Sequence, residues 1–129
     1  MAQDNVDVIE SAWDAFRRGD IEAATSVADP SGEIVVPDTL PWGGTYHGPE
    51  GFREFIASLM EHFEQFESKP EKVLGADDDH VVVLAHVKGR TKGGEEIEGE
   101  SVWLYKMRNG QVVRADTFTD TARVREALG

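Results

Sequence analysis

Between His80 and Asp120, apolar and polar positions alternate with the period of two expected of β-strands whose faces meet different surroundings. Three runs, His80 to Arg90, Glu95 to Met107 and Gln111 to Thr119, are separated by Lys92-Gly93-Gly94 and by Asn109-Gly110, both hairpin signals. A two-residue turn at Asn109-Gly110 sets Arg108 opposite Gln111, and predicts Tyr105 opposite Arg114, Trp103 opposite Asp116 and Ser101 opposite Phe118. A three-residue loop with Gly94 left-handed pairs Gly89 with Ile97, Val87 with Gly99, Ala85 with Ser101, Val83 with Trp103 and Val81 with Tyr105. The inner face so defined is an apolar wall that also carries Ser101, Arg114, Asp116 and Asp120. The outer face sets His86 against Glu100, Lys88 against Glu98 and Arg90 against Glu96, pairs of complementary charge that a one-residue slip would scatter.

Upstream the period changes. Val6, Ile9, Trp13 and Phe16 recur at helical spacing, and Gly19 supplies a left-handed stop, which predicts a helix from about Asn5 to Arg18. Asp20 is placed to cap a second helix, Ile21 to Ala28, ended by Asp29-Pro30. A short strand at Glu33 to Val36 precedes a Pro- and Gly-rich segment, Pro37 to Tyr46, that reads as a loop or a broken strand. Gly48-Pro49-Glu50 opens a third helix with proline where its missing N–H costs nothing, and Phe52, Phe55, Ile56, Leu59 and Phe63 form its apolar stripe. A strand near Lys72 to Ala76 and a final helix, Thr121 to Leu128, complete the set. Helices first and strands after predict an α+β domain, with helices packed on one face of a curved antiparallel β-sheet in a cone-like fold. Ala85, Gly89, Gly99 and Ser101 are too small to fill the space they face, so the cone should enclose a cavity. On the outer face Val82, Leu84, Val102, Leu104, Val113 and Ala115 form a contiguous apolar patch, which predicts a homodimer through that face.

At 129 residues the chain fits a single domain, 1–129, able to bury roughly two thirds of its unfolded surface. It has no cysteine, which excludes disulfides, thiolate metal sites and cysteine nucleophiles. Twenty-five acidic against thirteen basic residues give a formal charge of −12, which argues against nucleic acid and anionic membrane surfaces as partners. No apolar run approaches the ~20 residues of a membrane span, and the first residues do not read as a secretory signal, so a cytoplasmic location is expected.

In order and spacing, several motifs together resemble the nuclear transport factor 2-like superfamily and its SnoaL-like branch, which includes polyketide cyclases and ketosteroid isomerases. They are Ala15-Phe16-Arg17-Arg18-Gly19-Asp20, Trp42-Gly43-Gly44-Thr45-Tyr46-His47-Gly48 before Phe52-Arg53-Glu54-Phe55, Asn109-Gly110-Gln111-Val112-Val113, and Asp120 leading into Leu128-Gly129. The resemblance spans nearly the whole chain and implies a cofactor-free cavity fold in which acid/base chemistry acts beside a carbonyl. Ketosteroid isomerases use a carboxylate base, a tyrosine and a protonated aspartate. Aligned by these motifs, those groups fall on Val36, Ala12 and Trp103, so all three are replaced. SnoaL-type cyclases carry an acid/base aspartate near the end of the last strand, where Asp120 stands; Asp120 would serve equally as a helix N-cap. Arg114 and Asp116, two apart on one strand, also resemble part of the limonene epoxide hydrolase triad, but no aspartate lies between His80 and Met107 to complete it.

Read from the residues alone, Asp116 on the inner face is either one half of a buried ion pair with Arg114 or a base oriented by it. Of the histidines, His62 and His80 read as surface residues, His86 points outward, and His47 at the pocket mouth is the functional candidate; no spacing forms a metal site. Trp42, Tyr46, Ser101, Trp103, Tyr105 and Phe118 form the expected wall for an apolar small-molecule ligand. Three functions stay open: a cofactor-free acid/base enzyme (isomerase, cyclase or hydrolase type) using Asp116, Asp120 and Arg114; a binding protein in which the Arg-Asp pair is structural; or an interaction domain whose cavity is filled by its own side chains.

Overall fold

A computed structural model describes residues 2–129. Its elements are α1 (Ala2–Arg17), α2 (Ile21–Thr25), β1 (Ala28–Val36), β2 (Gly44–His47), α3 (Gly48–Met60), β3 (Phe63–Gly75), β4 (His80–Thr91), β5 (Glu96–Arg108), β6 (Gln111–Thr119) and α4 (Thr121–Leu128). The helix punctuation follows the expected chemistry. Gly19, at φ 82°, ends the first helix, and Asp20 accepts a hydrogen bond from the Ala23 N–H at 3.1 Å to start the second. Helix α1 begins at Ala2, upstream of Asn5, whose side-chain amide donates to the Asp78 carbonyl at 2.8 Å and ties the helix to the β3–β4 turn.

The six strands run in the order β2-β1-β6-β5-β4-β3 in a curved, unclosed sheet, antiparallel throughout except for the parallel pair β1 and β6. Helices α1 and α3 cover its concave side, and their apolar stripes meet β1, β3 and β4 there. The β4–β5 ladder has the register expected from its turn: Val81 faces Tyr105, Ala85 faces Ser101, and His86, Lys88 and Arg90 face Glu100, Glu98 and Glu96. The His86 ring reaches diagonally, to Glu98 at 2.7 Å. Gly94 is left-handed at φ 93°.

All the strands but β4 and β5 depart from expectation. Helix α2 stops at Thr25 and β1 begins at Ala28, five residues before the expected strand, because pairing with β6 recruits the stretch through Asp29-Pro30, and β2 forms at the end of the Pro- and Gly-rich segment. Strand β3 spans Phe63–Gly75 rather than the short segment near Lys72, and Phe63 opens it instead of closing the α3 stripe. Its interior Pro70, charged residues and bulge between Pro70 and Lys72 are the features of a sheet edge, where ladder hydrogen bonds on one side are not needed. Along β6 the register slips by one. Arg108 faces Gln111 and Met107 faces Val112, but then Lys106 faces Arg114, Tyr105 faces Ala115, Leu104 faces Asp116, Trp103 faces Thr117 and Ser101 faces Thr119.

Val113 is the extra residue of this β-bulge, and beyond it the two faces of β6 exchange. Arg114, Asp116 and Phe118 therefore pair on the outer side, not the inner one, and Ala115 leaves the outer patch for the core, where it is 1% exposed. The physical reason is the cost of desolvating charge. A regular ladder would have driven a guanidinium and a carboxylate inward, at several kcal/mol for each ion, while leaving Ala115 in water. The neighbouring strand accommodates the bulge with its own shift between Ala28 and Glu33. Gly32 lies in that stretch, and a Cβ there would come within 2.5 Å of the Val112 carbonyl oxygen.

The two registers predict opposite mutational outcomes. Ala115→Asp should destabilise the protein by about 3–5 kcal/mol, the usual effect of an uncompensated buried charge, whereas Asp116→Ala should cost no more than about 1 kcal/mol, as expected of an ion pair whose arginine is half-exposed and keeps Glu33. Urea denaturation of both variants checks this, and the reverse ranking would contradict the bulge.

Candidate functional site

The concave face of the sheet and the helices α1 and α3 enclose a cavity of about 120 Å³. Trp103, at the centre of β5, organises its wall. The Trp103 ring stacks on Tyr105 (centroids 5.7 Å apart, planes at 16°), meets Trp13 edge-on at 5.7 Å and Phe55 at 5.9 Å, and lies 6.4 Å from Phe52. Edge-on and offset aromatic pairs of this kind each add roughly 0.5–1.5 kcal/mol beyond area burial, so the wall is stiff as well as apolar.

The polar groups on the cavity surface are distinctive. Trp13 Nε1–H donates to the Tyr105 hydroxyl at 3.0 Å across 92 positions of sequence, joining α1 to β5 inside the core. Burial pushes the Tyr105 phenol well above its ordinary pKa, only partly offset by that hydrogen bond. Ser101 is 8% exposed, and its Oγ has no hydrogen-bond partner among the described residues. Ser68, Thr117 and Thr119 add further hydroxyls. None of the lining residues carries a carboxylate, imidazole, ammonium or guanidinium group.

The expected site residues divide accordingly. Trp42, Ser101, Trp103 and Tyr105 line the cavity, and Phe118 reaches its rim while remaining 54% exposed. Tyr46 stands behind the wall: its hydroxyl donates to the Trp42 carbonyl at 2.7 Å and its ring packs on Phe55. His47 is exposed at the end of β2, next to α3, and does not line the cavity. His62, expected at the surface, packs against Trp42 at 5.3 Å.

The charged residues expected inside lie elsewhere. The Arg114 guanidinium bridges Asp116 through two hydrogen bonds of 3.0 and 3.1 Å and reaches Glu33 on β1 at 2.9 Å, on the outer side of the sheet. These two carboxylates, Asp116 foremost, raise the Arg114 pKa further above its ordinary value. Asp120 is exposed and caps α4, accepting from the Arg123 N–H at 3.1 Å. Among the described residues, no group of three or more His, Asp or Glu side chains is arranged to hold a metal ion, and no helix is long and apolar enough to cross a membrane.

Comparison with known proteins accords with this architecture. The model of the SnoaL-like domain family matches residues 9–115, and the chain belongs to that family. A nuclear transport factor 2-like protein of unknown function from Burkholderia pseudomallei is 23% identical, with a TM-score of 0.89 over 97% of each chain. TerC, co-crystallised with polyporic acid, is 27% identical, with a TM-score of 0.87 over 97% of this chain and 98% of its own. A protein of ketosteroid isomerase-like fold from Catenulispora acidiphila, in complex with trimethylamine, is 18% identical, with a TM-score of 0.79 over 95% of this chain and 92% of its own. No curated protein matches the chain. The positions that the isomerase resemblance gives to catalytic groups, Ala12, Val36 and Trp103, all line the cavity, and all three are apolar or aromatic.

Ser68, Thr117 and Thr119 escape the sequence reading, because Ser68 lies on the unrecognised part of β3 and the threonines turn inward only through the bulge. Tyr105 supplies a pH test. Below about pH 10 neither folded nor unfolded tyrosine ionises; above it the unfolded chain releases a proton that the folded one keeps, so stability falls by about 1.4 kcal/mol per pH unit. Tyr105→Phe lacks this dependence, although it costs about 1–3 kcal/mol at neutral pH by leaving the Trp13 N–H unpaired. Urea denaturation between about pH 9 and pH 11 should therefore show the gap between wild type and variant narrowing as pH rises. A constant gap would contradict a buried, un-ionised phenol.

Proposed function

We propose that this SnoaL-like protein binds an apolar small molecule in its aromatic cavity without acid/base turnover by Asp116 or Asp120, and that the Arg114–Asp116 pair is structural. The observation that carries the reading is the chemistry of the cavity wall. Its polar groups are hydroxyls and indoles, while Arg114, Asp116 and Asp120 are engaged on the outer face and at the start of α4. A general base must come within hydrogen-bond reach of the proton it takes, directly or through one water. Three positions where isomerases of this fold place catalytic groups being Ala12, Val36 and Trp103 adds weight in the same direction. That TerC was co-crystallised with polyporic acid supports small-molecule binding as a use of this fold.

The outer sheet face supports a second element of the proposal, a two-fold homodimer. By register Leu74, Val82 and Leu104 form one row and Leu84 and Val102 the next, and Leu74 is 49% exposed. Helices α1 and α3 pack on the other side, where their apolar stripes join the core. A two-fold axis would cover the outer patch by using the same surface twice.

All three tryptophans of the chain line the cavity, so intrinsic fluorescence reports its occupancy. Ethylbenzene should give a saturable change in emission that is the same in wild type and in the Asp116→Asn/Asp120→Asn double variant. A tenfold or greater loss of affinity in the double variant would return the carboxylates to the site. Light scattering at micromolar concentration should give twice the 14.2 kDa chain mass, and Leu104→Arg should halve it; a monomeric wild type would refute the dimer.

A further inference from the structure

Taking the cavity as a binding site, we propose that its ligand is a neutral, single-ring molecule carrying one oxygen able to accept hydrogen bonds, with that oxygen held by Ser101 and Thr119. Size is the first argument. The cavity of about 120 Å³ is close to the engineered apolar cavity of about 150 Å³ that takes benzene, and far below the roughly 300–1,000 Å³ of sites for drug-sized ligands. One ring fills a volume of this size against Trp103.

The second argument is the unmet hydroxyl. Buried polar groups are nearly always hydrogen-bonded, because an unsatisfied one retains its full desolvation cost. Ser101 Oγ is the buried side-chain atom among the described residues that lacks a partner, and it lies on the cavity surface. Directly across the ladder stands Thr119, which also lines the cavity and makes no side-chain hydrogen bond among the described residues. Opposed residues of an antiparallel pair have Cβ atoms about 4.5–5.5 Å apart, near enough for both hydroxyls to approach the two lone pairs of one ligand oxygen. Tyr105, at the other end of the same strand face, is held by Trp13 and is not needed for this contact.

The third argument is charge. No cation lines the cavity to receive a carboxylate and no anion to receive an amine, and the chain's formal charge of −12 further disfavours an anionic ligand. Neutral ketones, aldehydes and alcohols on a single ring meet all three conditions.

The test uses acetophenone, its near-isostere cumene, and benzoate, titrated into wild-type protein and Ser101→Ala while the indole N–H resonances of Trp13, Trp42 and Trp103 are followed by NMR. Acetophenone and cumene should both bind wild type. Ser101→Ala should weaken acetophenone about threefold to tenfold, the value of one hydrogen bond, leave cumene unchanged or tighter, and raise the melting temperature by removing the unmet hydroxyl. Benzoate should not bind. If both neutral compounds bind but Ser101→Ala shifts them equally or not at all, the oxygen contact is wrong while the cavity still binds. Benzoate binding as tightly as acetophenone would overturn the neutrality of the site. Failure of both neutral compounds to move any indole resonance would overturn this inference and the binding reading together, whereas cumene binding without acetophenone would overturn this inference alone.

Discussion

The bulge at Val113 decides which side of the last strand meets the interior, and the remainder of the site follows from that choice. Strand β6 lies between β1 and β5 near the middle of the sheet, so its inner side chains necessarily face the space under the helices. Its sequence alternates charge with small or hydroxyl side chains: Arg114, Ala115, Asp116, Thr117. Either set can be turned inward by a shift of one residue. Desolvation favours the uncharged set by several kcal/mol per ion, which exceeds the loss of ladder regularity at one position.

The consequences propagate in two directions. Outward, Arg114 gains two carboxylates, Asp116 on its own strand and Glu33 on the parallel neighbour, so the charge that leaves the interior is spent on stitching β6 to β1. Inward, Ala115 makes room for Tyr105, whose hydroxyl accepts the Trp13 indole hydrogen and fixes α1 against the sheet. Thr117 and Thr119 then stand opposite Trp103 and Ser101, and the cavity acquires a surface of aromatic rings and hydroxyls with no ionised group. Such a surface offers shape, apolar area and one or two hydrogen bonds to whatever it meets.

Much of this fold is written plainly in the chain. The β4–β5 register is legible because two independent signals coincide, the glycine turn at Gly93-Gly94 and the row of opposite charges that ends at Arg90 and Glu96. The helices are legible through their stops and caps, Gly19, Asp20, Pro49 and Asp120. The bulge is not legible in the same way, since no glycine or proline stands at Val113 and the Asn109-Gly110 turn taken alone specifies an unbroken ladder. Strand β3 is hidden because an edge strand tolerates proline and dense charge, which elsewhere mark a loop. Of the site, the aromatic wall at Trp42, Trp103 and Tyr105 can be read from periodicity, but the bond from Trp13 to Tyr105 joins residues too distant for any local pattern to pair them. Arg114 and Asp116 thus change face through a single shift of register.

Because the chain has no cysteine, single-cysteine labelling reads the face assignment of β6 most directly. Thiol reactivity of Arg114→Cys and Ala115→Cys should be measured under native conditions and in urea. The account predicts fast native labelling at position 114 and labelling at position 115 only on unfolding. Native reactivity at 115 with protection at 114 would contradict it, and would put the arginine and aspartate back inside the cavity.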